Sequence, residues 1–271
     1  LGSWSYNWRH IIEPLSQYFR VVGFDAKGYG FSEKPLSRRE ENSHQVIELE
    51  RIIQALCHEP PVILPVILAE YLGALVSLAL AGQSPHLIDR LVVMNAPIFT
   101  DKLPHWLMAL LAQTPLKIIQ TIDFLPLADV FAPILREVMA IERRRVLFEP
   151  SILSEEDVYW KHYPFIEIPG TLLKVAEELQ IAVREIENSQ AKKPNMLIKI
   201  QNNLCTMECP TLILWGDQDS FFPASHGEKL HQNIRNSRFQ LLHNCYHDAS
   251  TGASEVVKAE IIKFLQDTNF C

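Results

Sequence analysis

The segment Ala69-Glu70-Tyr71-Leu72-Gly73-Ala74 carries the sharpest chemical signal in this chain. An apolar stretch, Val62 to Leu68, runs into it and reads as a buried strand. Leu75-Val76-Ser77-Leu78-Ala79-Leu80-Ala81 runs out of it and reads as a helix. Strand, sharp turn and helix, with small residues flanking the turn, is the setting that lifts a nucleophile above a sheet. Ser usually holds the central position, less often Asp or Cys; here it is Tyr71. A phenol has a pKa of about 10, so little phenolate exists at neutral pH without help. A serine hydroxyl is less acidic still, so acidity alone does not disqualify Tyr71. Reach matters more. The ring carries the oxygen well beyond a serine oxygen, past the point where the Leu72 amide could hold an oxyanion. The turn also imposes a positive φ, which costs more for a bulky side chain. Glu70 invites Tyr–Glu covalent chemistry, but adjacent residues at a turn point differently, and a solvated or salt-bridged Glu70 is the expectation.

The elements around this turn alternate. Arg20-Val21-Val22-Gly23-Phe24-Asp25 reads as a buried strand, followed by a loop marked by Gly28, Gly30 and Pro35. Apolar residues at Val46, Leu49, Ile52, Ile53 and Leu56 give a helical face over Ser43 to Leu56. Arg90 to Met94 reads as a strand stopped by Asn95-Ala96-Pro97. Strands alternating with helices imply a mainly parallel sheet covered on both faces. The rhythm then breaks. From about 101 to 203 no strand is expected; Leu103 to Ile119, Leu127 to Met139, Ser154 to His162 and Leu172 to Glu187 read as helices punctuated by prolines. Alternation resumes with the strand Thr211 to Trp215, a helix near Ser225 to Asn233, the strand Arg238 to Leu242 and a helix from Ser254 to Gln266.

Composition bounds the function. The chain has 271 residues, 48% hydrophobic and 21% charged, which is an ordinary globular composition. A net charge of −7 argues against nucleic acid as a partner, because no basic stripe is available to neutralise phosphates. The one dense basic run, Glu142-Arg143-Arg144-Arg145, reads as a solvated helix face. Cys57, Cys205, Cys209, Cys245 and Cys271 are odd in number and irregularly spaced, which favours a reducing, cytoplasmic setting over a disulfide framework. No metal-ligand spacing is present, and no cofactor is implied. No apolar run reaches the roughly 20 residues that span a bilayer.

The residues in this order resemble the α/β-hydrolase family. Phe24-Asp25-Ala26-Lys27-Gly28-Tyr29-Gly30-Phe31-Ser32 is similar to the family's strand-end motif with Asp, Gly, Gly and Ser. The elbow segment matches in position, and Arg90 to Pro97 looks like the strand after the elbow helix. Leu214-Trp215-Gly216-Asp217-Gln218-Asp219 resembles the acid turn, and Asn244-Cys245-Tyr246-His247 the histidine turn. The resemblance spans nearly the whole chain. It implies an α/β fold with a mainly parallel sheet flanked by helices and an all-helical cap insertion. The core would be 1–100 and 204–271, and the cap 101–203.

The resemblance implies a triad in the order nucleophile, acid, histidine: Tyr71, Asp219 and His247. A neutral imidazole near pH 7 can accept a proton, which suits His247 as base. Asp219 would fix the tautomer of His247, with Asp217 as its rival; His243 reads as structural. Leu72 would supply an oxyanion amide. The family's other donor follows a His-Gly pair, and Leu1-Gly2-Ser3-Trp4 resembles the residues just downstream of it. That loop and the first strands either precede Leu1 in the native protein or are lacking from it, and the sequence leaves both open; without them a sheet edge is exposed. Ser32 is expected to cap its turn, and Ser77 to be buried. Residues 106–135 are unusually apolar, fitting either core packing or the lining of a site for a greasy ligand, with Glu70, Trp106 and Phe131 as substrate contacts. The same surface admits peripheral membrane contact. Two function classes follow. One is a hydrolase of a small apolar ester or related substrate with a non-standard nucleophile. The other is an inactive descendant that binds an apolar small molecule or a protein, with Tyr71 filling the old site and donating a hydrogen bond to His247 or to a ligand. Oligomeric state is not set by the sequence.

Overall fold

A computed structural model describes residues 4–35, 43–58, 63–124 and 153–267, with the single positions 137, 141 and 147. In chain order the strands are β1 (Val66–Glu70), β2 (Arg90–Met94), β3 (Thr211–Gly216) and β4 (Ser237–Leu242). The helices are α1 (Arg9–Ser16), α2 (Ser43–Leu56), α3 (Tyr71–Gln83), α4 (Trp106–Gln113), α5 (Leu116–Phe124), α6 (Glu155–Glu167), α7 (Thr171–Gln190), α8 (Met196–Asn203), α9 (Ala224–Asn233), α10 (Ala249–Gly252) and α11 (Ser254–Gln266). Contacts divide the chain into two compact units. One comprises 1–40, 103–183 and 248–258; the other 41–102, 184–247 and 259–271.

The second unit holds the sheet. Its order is β1-β2-β3-β4 and every pairing is parallel. Val93 sits between Ala69 and Ile213, so the register is continuous across β1, β2 and β3. Parallel strands need crossovers, and α3 links β1 to β2 while α9 links β3 to β4. The inner strands read as apolar runs because both their faces are covered: Leu91 to Met94 and Leu212 to Trp215 are essentially inaccessible. Helix α3 is apolar all round for the same reason, with Ala74 to Ala81 buried against the sheet, α2 and α8. Trp215 fills the space beneath α9. A Cβ at Gly227 would lie 2.7 Å from Phe239 and 2.8 Å from Trp215, so only glycine lets that helix approach.

The other unit combines helices with the loop of residues 20–35, and its core includes Ile119, Leu173 and Ala176 with Leu111, Leu116 and Leu172 packed against them. It contains a fully buried ion pair, Lys161 Nζ to Asp248 Oδ2 at 2.8 Å, with a second bond from Nζ to Thr251 Oγ1 at 2.7 Å.

Several expectations change. Residues 20–25 are not a strand and are not buried: Val22 and Phe24 are 47% and 45% exposed. A β-branched run becomes a strand only when a neighbour supplies a hydrogen-bond ladder, and none of the four strands pairs with it. Asp25 organises a loop there instead, its carboxylate accepting the amides of Ser5 and Phe31 at 2.7 and 3.0 Å. The single helix expected over 103–119 is two, α4 and α5, separated at Thr114-Pro115 where proline breaks the ladder. Helix α6 runs on through Pro164, started by a capping box of Ser154 and Asp157. Helix α8 was not anticipated; Asn195 caps it, accepting the Ile198 amide at 2.9 Å. The expected helix 127–139 and the basic run at 142–145 lie outside the described residues. Between 101 and 203 the described residues contain helices and no strand. No helix among the described residues is long and apolar enough to cross a membrane.

Candidate functional site

The site lies at the carboxyl ends of the strands of the sheet unit. Tyr71 is the first residue of α3, directly after β1, with φ of 52°. Glu70 before it is still extended, so the chain turns from strand to helix within one residue. The strand–turn–helix reading of this segment therefore matches the fold, although β1 is Val66–Glu70, residues 63–65 are not strand, and Val62 lies outside the described residues.

Two turns meet opposite. The first closes β3 with Gly216-Asp217-Gln218-Asp219, and the second follows β4 with His243-Asn244-Cys245-Tyr246-His247. Three backbone-anchored bonds stitch them together: Asp217 N–H to Leu242 O at 3.0 Å, Gln218 N–H to Cys245 O at 3.0 Å, and Cys245 N–H to Asp217 Oδ1 at 3.2 Å. A Cβ at Gly216 would press into the carbonyls of Cys245 and Tyr246, so a glycine is required for this approach. The stitching brings Asp219 to His247, with Nδ1 3.1 and 3.0 Å from the two carboxylate oxygens.

The Asp219 carboxylate is completely buried and well supplied with donors. Oδ1 accepts the amides of Phe221 and Phe222 at 2.8 and 3.0 Å, and Oδ2 accepts Nδ2 of Asn95 at 2.6 Å. Burial raises its pKa, but the bond and charge of His247 and the two amides outweigh that and hold it below the usual carboxylate value. An ionised Asp219 accepts a hydrogen bond from the Nδ1–H of His247, and that tautomer carries its lone pair on Nε2. Among the described residues, no hydrogen bond reaches Nε2.

Tyr71 is 7% exposed and its ring stacks on the His247 imidazole, with centroids 4.3 Å apart and planes at 28°. Its hydroxyl donates to the backbone carbonyl of His247 at 3.0 Å. A phenol has one proton. Here that proton points at a carbonyl and not at the ring nitrogen that would remove it. Phe221 and Phe222 complete an aromatic surround, with centroids 4.5 and 5.4 Å from the imidazole.

The structure thus brings Tyr71, Asp219 and His247 together. Leu72 lies in the first turn of α3, where amides have no intrahelical acceptor. Glu70 is 7% exposed, so of the two expectations, solvated or salt-bridged, the solvated one is corrected: as the last residue of β1 it shares the burial of the sheet. Trp106 is in the helical unit and 65% exposed, and Phe131 lies outside the described residues. Asp217 faces the exposed His243, 3.5 Å away, and supports the turn. Ser32 Oγ donates to Asp25 O at 2.6 Å and Ser77 is buried in α3. Asn95, Phe221 and Phe222 were not anticipated. The available signal was positional: Asn95 directly follows β2 at the same edge as Tyr71, and Asn tolerates the left-handed backbone (φ 50°) it adopts there.

The model of the alpha/beta hydrolase fold matches residues 1–251. The chain belongs to the α/β-hydrolase family. Relatives of this α/β-hydrolase include Epoxide hydrolase 2 of Caenorhabditis elegans, 22% identical over 98% of this chain and 71% of that protein. Another is 2-hydroxy-6-oxononadienedioate/2-hydroxy-6-oxononatrienedioate hydrolase 2 of Pseudomonas putida, 26% identical over 96% and 82%. Among solved structures, an α/β-hydrolase fold protein from Burkholderia ambifaria superposes with a TM-score of 0.74, at 19% identity over 96% of this chain and 86% of that one. The 2-hydroxy-6-oxo-6-phenylhexa-2,4-dienoate hydrolase of Rhodococcus sp. strain RHA1 gives 0.72, at 18% identity over 98% and 87%.

Proposed function

We propose that this chain is a hydrolase of a small apolar ester or related substrate in which His247, oriented by Asp219, activates water, while Tyr71 shapes the site and does not attack. The observation that carries this is the destination of one proton. The Tyr71 hydroxyl donates to His247 O, whereas Asp219 holds Nδ1 and so leaves Nε2 as the basic atom. The group that Nε2 deprotonates is then water. Nε2 takes its proton as hydroxide adds to the substrate carbonyl, the Leu72 amide receives the developing oxyanion, and the imidazolium returns the proton to the leaving oxygen. The net change is addition of one water across the ester bond. Relatives named for hydrolysis of epoxides and of 2-hydroxy-6-oxononadienedioate support hydrolysis as the reaction class, and the three aromatic rings around His247 support an apolar substrate.

A second reading has its own observation. Tyr71 is buried and covers the imidazole, which suits a non-catalytic site that binds an apolar molecule or a protein partner. Hydrolysis of p-nitrophenyl esters of short and long chain, with His247→Ala and Tyr71→Phe beside the parent, separates the two. Turnover lost in His247→Ala and kept in Tyr71→Phe is the result expected. Turnover lost in Tyr71→Phe as well would make the phenol a participant. No turnover above His247→Ala in any ester would favour the binding protein.

A further inference from the structure

Asn95 carries two local costs. It holds a positive φ of 50°, and its Oδ1, in a residue with no exposed surface, has no hydrogen-bond partner. Packing alone explains neither, since glycine adopts this backbone freely and any apolar side chain avoids an orphaned acceptor. The group that offsets both is Nδ2, which donates to Asp219 Oδ2 at 2.6 Å. The amide orientation is fixed by the same contact, because the flipped amide would set Oδ1 against a carboxylate.

We propose that Asn95 is a positioning residue: its Nδ2–H holds the Asp219 carboxylate turned so that it faces His247 Nδ1. Charge-assisted bonds to a buried acceptor are about twice as strong as neutral ones. Without this donor the carboxylate keeps two amides and the imidazole, and among the described residues Oδ2 keeps only His247. Among the described residues, the titratable groups that act on Asp219 are two histidines. His247 comes from the turn after β4 and His226 from α9, where burial lowers the His226 pKa before the opposing charges of Lys229, Asp101 and Asp219 act. Tyr71 reaches the pair only through the His247 ring and carbonyl, and Asp217 is engaged with Cys245 N–H and His243. Asn95 is therefore the neutral side-chain donor on this carboxylate. The inference rests on Asp219 and His247 being the working pair, but its test does not need turnover.

Two variants of the whole chain test this: Asn95→Ala, which removes the donor, and Asn95→Asp, which replaces it with a charge. Asp has the same shape as Asn and tolerates the same backbone, so packing and strain are preserved while a donor becomes a second carboxylate. Like charges sharing a site raise one carboxyl pKa strongly. The readout is the Asp219 carboxyl titration by carbon NMR, with Asp219→Asn to assign the signal. In Asn95→Asp the acid-side titration is expected to move up by about one pH unit or more, and in Asn95→Ala to move up by a smaller amount. A thermal melt confirms that each variant is folded. An Asp219 titration in folded Asn95→Ala that superposes on the parent overturns the proposal and leaves Asn95 a structural residue. Absence of esterase activity in every form would refute the proposed function and leave this result standing.

Discussion

Removing one oxygen separates a nucleophile from a structural phenol. Tyr71→Phe keeps the ring, the stack at 4.3 Å on His247 and the backbone φ of 52°, so its strain and van der Waals contacts are unchanged. What goes is the O–H···O=C bond to His247, 3.0 Å long and buried. A neutral bond of this kind contributes about 1 kcal/mol net, and a buried acceptor left without its donor costs about 1–3 kcal/mol. The expected loss is therefore about 1–2 kcal/mol, or about 2–4 °C in Tm for each kcal/mol in a chain of this size. Urea denaturation measures it as a lower midpoint at unchanged slope. The same bond holds the carbonyl of the residue that carries the proposed base, so a modest fall in turnover accompanies the loss of stability. If the phenol were the nucleophile, turnover would fall by at least about 10³-fold whatever happened to stability. A Tyr71→Phe protein as stable as the parent would refute the role assigned to the bond. One that is folded but inert would refute the reading of Tyr71 as a bystander to the chemistry.

Three further perturbations probe the frame around the site. Asp219 titrates below its ordinary value, so its bonds stabilise the fold above about pH 4 and that contribution is lost as the pH falls through the folded pKa. Asp219→Asn should flatten this acid limb in urea midpoints measured against pH, and an unchanged limb would contradict the assignment. Lys161→Met leaves Asp248 charged and buried and should cost about 3–5 kcal/mol, most of which Lys161→Met combined with Asp248→Leu should recover; additive losses in the double mutant would show that the two charges are not coupled. Gly216→Ala drives a Cβ into two backbone carbonyls that cannot rotate away, and should cost about 1–3 kcal/mol in stability while disturbing the Asp219–His247 contact, read as a shifted His247 imidazole resonance.

The parallel sheet and its helices were legible because buried strands and amphipathic helices have distinct periods. Arg90 to Met94, Ser43 to Leu56 and Ser254 to Gln266 match their elements at both ends. The failures share a cause. Residues 20–25 have the composition of a strand, but strand formation depends on a partner that local sequence does not specify. In the site, the order of Tyr71, Asp219 and His247 along the chain made their convergence readable. Asn95, Phe221 and Phe222 were not, because each acts through a spatial contact across different strand ends: Asn95 reaches Asp219 across 124 positions of sequence. The direction of the Tyr71 proton was equally invisible. The sequence admits His247 as its partner, and only the fold decides between the ring and the carbonyl.

Backbone strain marks the same place without any motif. Four described non-glycine residues hold positive φ: Tyr71, Asn95, Lys192 and Asn244. Three of them follow strands of the sheet, Tyr71 directly after β1, Asn95 directly after β2, and Asn244 in the turn after β4 that leads to His247. Asn adopts this conformation with little penalty, and Tyr does not; for a bulky residue the cost is about 1–2 kcal/mol. Tyr71 nevertheless takes the backbone of a nucleophile turn while its hydroxyl points at a carbonyl. The conformation therefore belongs to the strand-to-helix connection and not to the residue at its tip. A change of side chain at position 71 alters what the turn presents to His247 and leaves the turn itself in place. On this argument a serine at position 71 would inherit the backbone, and the chemistry of the site would be decided by the distance from its oxygen to Nε2.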